Sequence, residues 1–212
     1  MHSSEKEISY QTSNTYSTLN LLTPETKTVW FVCHGMGYLS RYFLKYFAEI
    51  DATENYIIAP QAQSKYYIPP KFRHVGASWL TKENTQKETE NVMRYFDAVL
   101  KAEALPNHVR LNVVGYSQGV SVAMRYLAKR QLHCNQLLIM SGGIPKELTS
   151  QDFNYLNAKI YLTYGTEDEY LDQERRAYET QRAKDLFGDV TILPFEGNHK
   201  VNMDLIKKIS KT

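Results

Sequence analysis

Short, strongly apolar runs recur along the chain at Val29–Cys33, Tyr56–Ala59, Leu111–Val114, Gln136–Met140, Ile160–Tyr164 and Val190–Leu193. Each has the length of a strand buried on both faces. Longer stretches lie between most of them, and there the apolar residues return every three or four positions, as on one face of a helix. Val92, Phe96, Val99 and Leu100 mark such a face within Lys82–Glu103, and Val120, Ala123, Met124 and Leu127 mark another within Ser117–Arg130. Further helices are expected at Leu39–Glu49, Asp172–Phe187 and His199–Ile209. The opening segment, Glu7–Asn20, alternates around Ser13-Asn14-Thr15 and predicts an antiparallel hairpin at a sheet edge. Strands that alternate with helices give an α/β class: a doubly wound, mostly parallel sheet covered on both faces, with the hairpin at one edge. No internal repeat, low-complexity run or linker divides the chain, so residues 1–212 read as one domain.

Composition narrows the partners. Of the side chains, 42% are apolar and 23% charged, enough for a sizeable core. The formal net charge is +2, and basic residues gather only in doublets such as Lys129-Arg130 and Arg175-Arg176, which argues against a nucleic-acid partner. The start, Met1 to Glu7, lacks the apolar core of a signal peptide, and no stretch approaches the roughly 20 apolar residues of a membrane span. Stable membrane insertion is therefore not expected. The two cysteines, Cys33 and Cys134, form no CxxC and fit a reducing compartment, so the expected location is the cytoplasm.

Gly115-Tyr116-Ser117-Gln118-Gly119 follows the apolar run Leu111–Val114 directly and opens a helical segment. A strand-to-helix turn this tight leaves no room for side chains two positions either side of its serine, which is then presented at the carboxyl end of the sheet. A serine hydroxyl is a poor nucleophile near neutral pH, so a base must take its proton and a third group must orient that base. In hydrolases built on such an elbow the chain order is serine, acid, histidine, each on a loop after a strand. Gly165-Thr166-Glu167-Asp168-Glu169 and Glu196-Gly197-Asn198-His199 occupy those two loops. His199 is the well-placed base: His2 is in the tail, His34 precedes the nucleophile, His108 lies before its strand and His133 at the far end of the following helix. Among the crowded carboxylates, Asp168 is the expected orienter, with Glu167 and Glu169 as alternatives. Upstream, His34-Gly35-Met36-Gly37 resembles the His-Gly oxyanion loop of esterases. The backbone N–H groups of Met36 and Gln118 are assigned to the oxyanion, and the His34 imidazole is expected to bond its own backbone rather than to catalyse.

Together these segments resemble the carboxylesterase, lysophospholipase and acyl-protein thioesterase branch of the α/β-hydrolases, from about Val29 to the C-terminus. The similarity extends to Ser141-Gly142-Gly143-Ile144-Pro145, which matches that branch's Ser-Gly-x-x-Pro turn, and to Ser78-Trp79-Leu80, which resembles its Ser-Trp-aromatic segment. Leu80, Thr81 and Tyr38 depart from its usual residues. The resemblance implies an α/β-hydrolase fold without a large lid domain, and a serine hydrolase of carboxylic esters that needs no cofactor and takes a small-molecule ester or thioester. An acyl thioesterase or lysophospholipase would use the same groups, and a catalytically silent binding module is the rival from another class.

Trp79, Gly35 and Tyr38 are the expected substrate contacts. The pairs Cys33-His34 and His133-Cys134 do not suggest a metal site, because neighbours on an extended chain point to opposite faces. Only Ser141 to Lys159 separates the turn after the nucleophile helix from the strand leading to the acid, too little for both a crossover and a lid. An open site with short-to-medium acyl selectivity follows.

Overall fold

In the computed structural model, which describes residues 3–212, nine strands and five α-helices alternate along most of the chain. The strands are β1 (Tyr16–Leu19), β2 (Thr28–Cys33), β3 (Asn55–Pro60), β4 (Ser64–Tyr67), β5 (Val75–Ser78), β6 (Arg110–Tyr116), β7 (Gln136–Met140), β8 (Lys159–Gly165) and β9 (Thr191–Phe195). The helices are α1 (Ser40–Phe43), α2 (Thr85–Glu103), α3 (Gln118–Arg130), α4 (Gln173–Phe187) and α5 (Met203–Ile209). Seven strands form one sheet in the order β1-β3-β2-β6-β7-β8-β9, and every pairing but β1 with β3 is parallel. No helix among the described residues is long and apolar enough to cross a membrane.

The central strands are buried on both faces, which is why they read as unbroken apolar runs. Along β2, Val29, Phe31 and Cys33 enter one core with Phe96 of α2 and Met124 and Leu127 of α3, while Trp30 and Val32 enter the other with Phe43, Phe47 and Ile206. The period-two alternation of a strand thus feeds two separate cores.

The structure departs from the pattern in four places. Only the second arm of the expected N-terminal hairpin is a strand, and β1 finds its antiparallel partner in β3, pairing Tyr16 with Pro60 and Leu19 with Ile57. Residues 3–15 are mostly exposed, Ile8 and Tyr10 among them, and form no strand. The segment Leu39–Glu49 is split into α1 and a 3₁₀ turn, Leu44–Phe47. The last helix begins only at Met203, where Asn202 caps it by accepting the Leu205 N–H at 3.1 Å, so His199 stands on the preceding loop. Finally, β4 and β5 make a small antiparallel ribbon that the Pro- and Gly-containing sequence did not reveal.

Candidate active site

Ser117 stands between β6 and α3 with φ 53° and ψ −120°, a conformation unfavourable for a residue with a side chain. The surroundings hold it there: its N–H donates to Met140 O at 2.8 Å, and its carbonyl accepts from Val120 N–H at 3.1 Å. A Cβ on Gly115 would lie 2.4 Å from the Val120 Cα, and one on Gly119 2.0 Å from the Cys33 carbonyl oxygen. The two glycines are therefore what allow α3 to pack this closely over β2 and β6.

Ser117 Oγ lies 3.0 Å from His199 Nε2, and His199 Nδ1 lies 2.8 Å from Asp168 Oδ2. With Asp168 ionised, Nδ1–H donates to the carboxylate and Nε2 accepts from the serine hydroxyl. The other Asp168 oxygen accepts the N–H groups of Tyr170 and Leu171 at 2.9 and 3.1 Å, so the buried carboxylate is held on both sides. The imidazole is flanked by Tyr116, whose hydroxyl donates to the His199 carbonyl at 3.2 Å, and by the Tyr170 ring, edge-on at 4.9 Å. The acid and histidine loops meet because Gly165 lacks a side chain: a Cβ there would fall 2.2 Å from the Gly197 carbonyl oxygen. Three loops distant in sequence are thus brought together at the carboxyl end of one sheet.

Upstream, His34 is fully buried, with its Nδ1–H donating to Gly35 O at 2.7 Å and its Nε2 accepting the Ala62 N–H at 3.1 Å. Burial pushes its pKa down to about 4, so the ring is neutral and braces the loop. Met36 is exposed, and among the described residues its N–H donates to no protein acceptor. Gln118 opens α3, where a first-turn N–H has no carbonyl in a preceding helical turn. Its side chain is a clamp: Oε1 accepts the Trp79 N–H at 2.8 Å, and Nε2 donates to Leu80 O at 2.8 Å and Ser78 Oγ at 3.0 Å.

A pocket of about 450 Å³ opens beside Ser117 and His199, walled by Ser121, the Ser141–Gly143 turn and residues 170–172 and 175. None of the three expected substrate contacts lines it. Trp79 lies behind the His34–Gly37 loop, buried against Phe96 with its indole N–H donating to His34 O at 2.7 Å. Tyr38 shares a hydrogen bond of 3.0 Å with Tyr46 and packs on Tyr116. Gly35 is buried, and an added Cβ would meet Ser117 Cβ at 3.2 Å, so it serves close packing behind Ser117. Cys33 and Cys134 are buried, unbridged, and have their thiol pKa values pushed up by burial, with no part in the site.

Sequence comparison matches residues 17–212 to the family described as Phospholipase/Carboxylesterase. The chain belongs to that family. A search of curated proteins finds no significant match. Solved structures with the same fold include Zea mays acyl-protein thioesterase 2, at 14% identity and TM-score 0.71, covering 94% of this chain and 97% of that one. The Bacillus cereus carboxylesterase aligns at 14% identity and TM-score 0.66, covering 93% and 92%. A phospholipase/carboxylesterase from Dyadobacter fermentans aligns at 16% identity and TM-score 0.65, covering 96% and 99%. The phospholipase/carboxylesterase family thus accounts for the mostly parallel sheet, its antiparallel edge and the missing lid domain. Of the pocket-lining residues, Arg175 stands out in the sequence only as half of a basic doublet within the expected helix Asp172–Phe187, and nothing there marks Tyr170.

Proposed function

We propose that this protein hydrolyses carboxylic esters of short-to-medium acyl chains through an acyl-enzyme, with residues 1–212 acting as one catalytic domain. The observation that carries the reading is the continuous hydrogen-bonded relay from Ser117 through His199 to Asp168, open to a pocket at its serine end. Ser117 Oγ attacks the ester carbonyl as His199 Nε2 takes its proton. Asp168 keeps the imidazole in the required tautomer and stabilises the imidazolium. The carbonyl oxygen becomes an anion in the tetrahedral intermediate and is met by the N–H groups of Met36 and Gln118. His199 returns its proton to the departing alkoxide, and a water activated by the same nitrogen then releases the acid from Ser117.

Covalent labelling tests this reading directly. A fluorophosphonate should modify the wild-type protein and leave Ser117→Ala unmodified, with unchanged circular dichroism. Equal labelling of both proteins would remove Ser117 from the role of nucleophile.

A further inference from the structure

The pocket beside Ser117 contains a cation whose charge the hydrolytic steps leave unused. Arg175 lies in the first turn of α4 with its side chain 43% exposed, and its Nη2 is 2.6 Å from Oε1 of Glu179, one turn later. Glu179 is 2% exposed, and its second oxygen accepts the Ile144 N–H at 2.8 Å. The guanidinium rests against the glycine turn after β7: a Cβ on Gly143 would sit 2.8 Å from Nη2. A buried carboxylate and a missing side chain therefore fix this arginine as part of the pocket wall.

Fixing it leaves donors free. Among the described residues, Arg175 Nε and Nη1 donate to no protein acceptor: the guanidinium pairs with Glu179 and lies 5.5 Å over the Tyr178 ring, and the backbone N–H goes to Asp172. Asp172 is the carboxylate on the pocket wall, and it is engaged as the cap of α4, accepting that N–H at 2.8 Å. A second group points the same way. Ser141, also on the wall, carries a buried hydroxyl without a protein partner. A purely hydrocarbon group in this pocket would desolvate the two guanidinium nitrogens that Glu179 does not meet, which is costly. A carboxylate matches the planar fork of an arginine and forms charge-assisted hydrogen bonds to it.

We propose that Arg175 selects esters bearing a carboxylate on the portion that enters this pocket, with Glu179 as the residue that positions it. The inference rests on the serine-hydrolase reading above and adds the substrate class.

The test compares isosteric pairs by acid release in a pH-stat: monomethyl glutarate against methyl 5-methylhexanoate for a carboxylate in the acyl part, and 3-acetoxypropanoate against 3-methylbutyl acetate for one in the alcohol part. In at least one pair the wild-type kcat/KM should favour the carboxylate ester by tenfold or more, as expected for a charged hydrogen-bonded contact. Arg175→Met should collapse that ratio at least tenfold, chiefly through KM. The ratio is the readout because lost packing on Gly143 lowers both rates together. The double variant Arg175→Met/Glu179→Gln keeps an acceptor for Ile144 and removes the unpaired buried charge, so the same collapse is expected if the single variant folds poorly. A wild-type ratio near one in both pairs, or a ratio that survives removal of the guanidinium, overturns the assignment while fluorophosphonate labelling of Ser117 still stands. Absence of both labelling and turnover overturns the hydrolase reading and this inference with it.

Discussion

The main-chain N–H of His199 donates to Glu169 Oε2 at 3.1 Å while its ring donates to Asp168 Oδ2 at 2.8 Å, so two adjacent carboxylates hold one residue in different ways. In the proposed relay Asp168 sets the tautomer of the imidazole and stabilises its charge, and Glu169 sets only the path of the loop. Asp168→Asn is therefore expected to lower kcat by about 10⁴-fold, the order seen when a relay acid loses its charge. Glu169→Gln, whose amide oxygen still accepts the His199 N–H, should cost less than about tenfold. Steady-state kinetics of the two variants distinguish the roles, and the reverse order would make Glu169 the orienting acid.

Sequence alone exposed what local rules govern. Ser117 was legible because Gly115 and Gly119 satisfy a steric demand within five residues, and His199 because chain order and an apolar strand locate its loop. Asp168 could be preferred but not separated from Glu167 and Glu169, since only the fold decides which carboxylate faces the imidazole. Arg175 and Glu179 sit on a helix rich in charge, and nothing in such a pattern marks one glutamate as buried and one arginine as a pocket wall. Trp79 was misplaced for the converse reason: a large aromatic beside the oxyanion loop is equally compatible with a pocket and with a core, and its indole N–H found the His34 carbonyl. The N-terminal hairpin failed because alternation identifies a strand without naming its partner.

The Gln118 side chain holds Ser78–Leu80 against the elbow through the Trp79 N–H and Leu80 carbonyl, while its backbone N–H is the group assigned to the oxyanion. Gln118→Ala separates these two roles. Removing the side chain leaves the Trp79 N–H without a partner, while the Leu80 carbonyl keeps the Ser78 hydroxyl at 3.2 Å, at a cost of about 1–3 kcal/mol. The backbone donor remains, so kcat should fall far less than in Ser117→Ala. Urea denaturation and initial-rate measurements on the same sample check both halves. A variant of wild-type stability would show that the clamp contributes nothing.

Buried His34 ties stability to pH. Its folded pKa of about 4 lies below the ordinary histidine value because burial disfavours the charged ring. Between those two values the unfolded chain binds the extra proton, so the stabilisation is present above pH ~6.5 and is lost as pH falls toward 4. The full effect of such a shift is about 3 kcal/mol. Carboxylates titrate over the same range, so the measurement is a difference: unfolding free energy from pH 7 to 4 should fall more steeply for the wild type than for His34→Gln. Parallel curves would mean that His34 does not titrate with unfolding in this window.

Access to Ser117 is governed by elements that are tied down. Between Ser141 and Lys159 the chain makes the glycine turn and one short 3₁₀ turn, Ser150–Phe153, leaving no helix to swing across the pocket. The β4–β5 ribbon is the other segment that could serve as a cover. It is anchored where it meets the His34–Gly37 loop: Gly37 N–H donates to Ala77 O at 2.9 Å, and Gly76 approaches so closely that an added Cβ would lie 2.6 Å from the Gly37 carbonyl oxygen. Moving the ribbon would disturb the loop that carries Met36, the residue assigned to the oxyanion in the proposed mechanism. Hydrolysis of a short-chain ester is therefore expected to saturate smoothly as its concentration crosses the critical micelle value, without interfacial activation. A sharp rise in rate above that concentration would show that a cover does move, and would favour long-chain lipid esters as substrates over soluble ones.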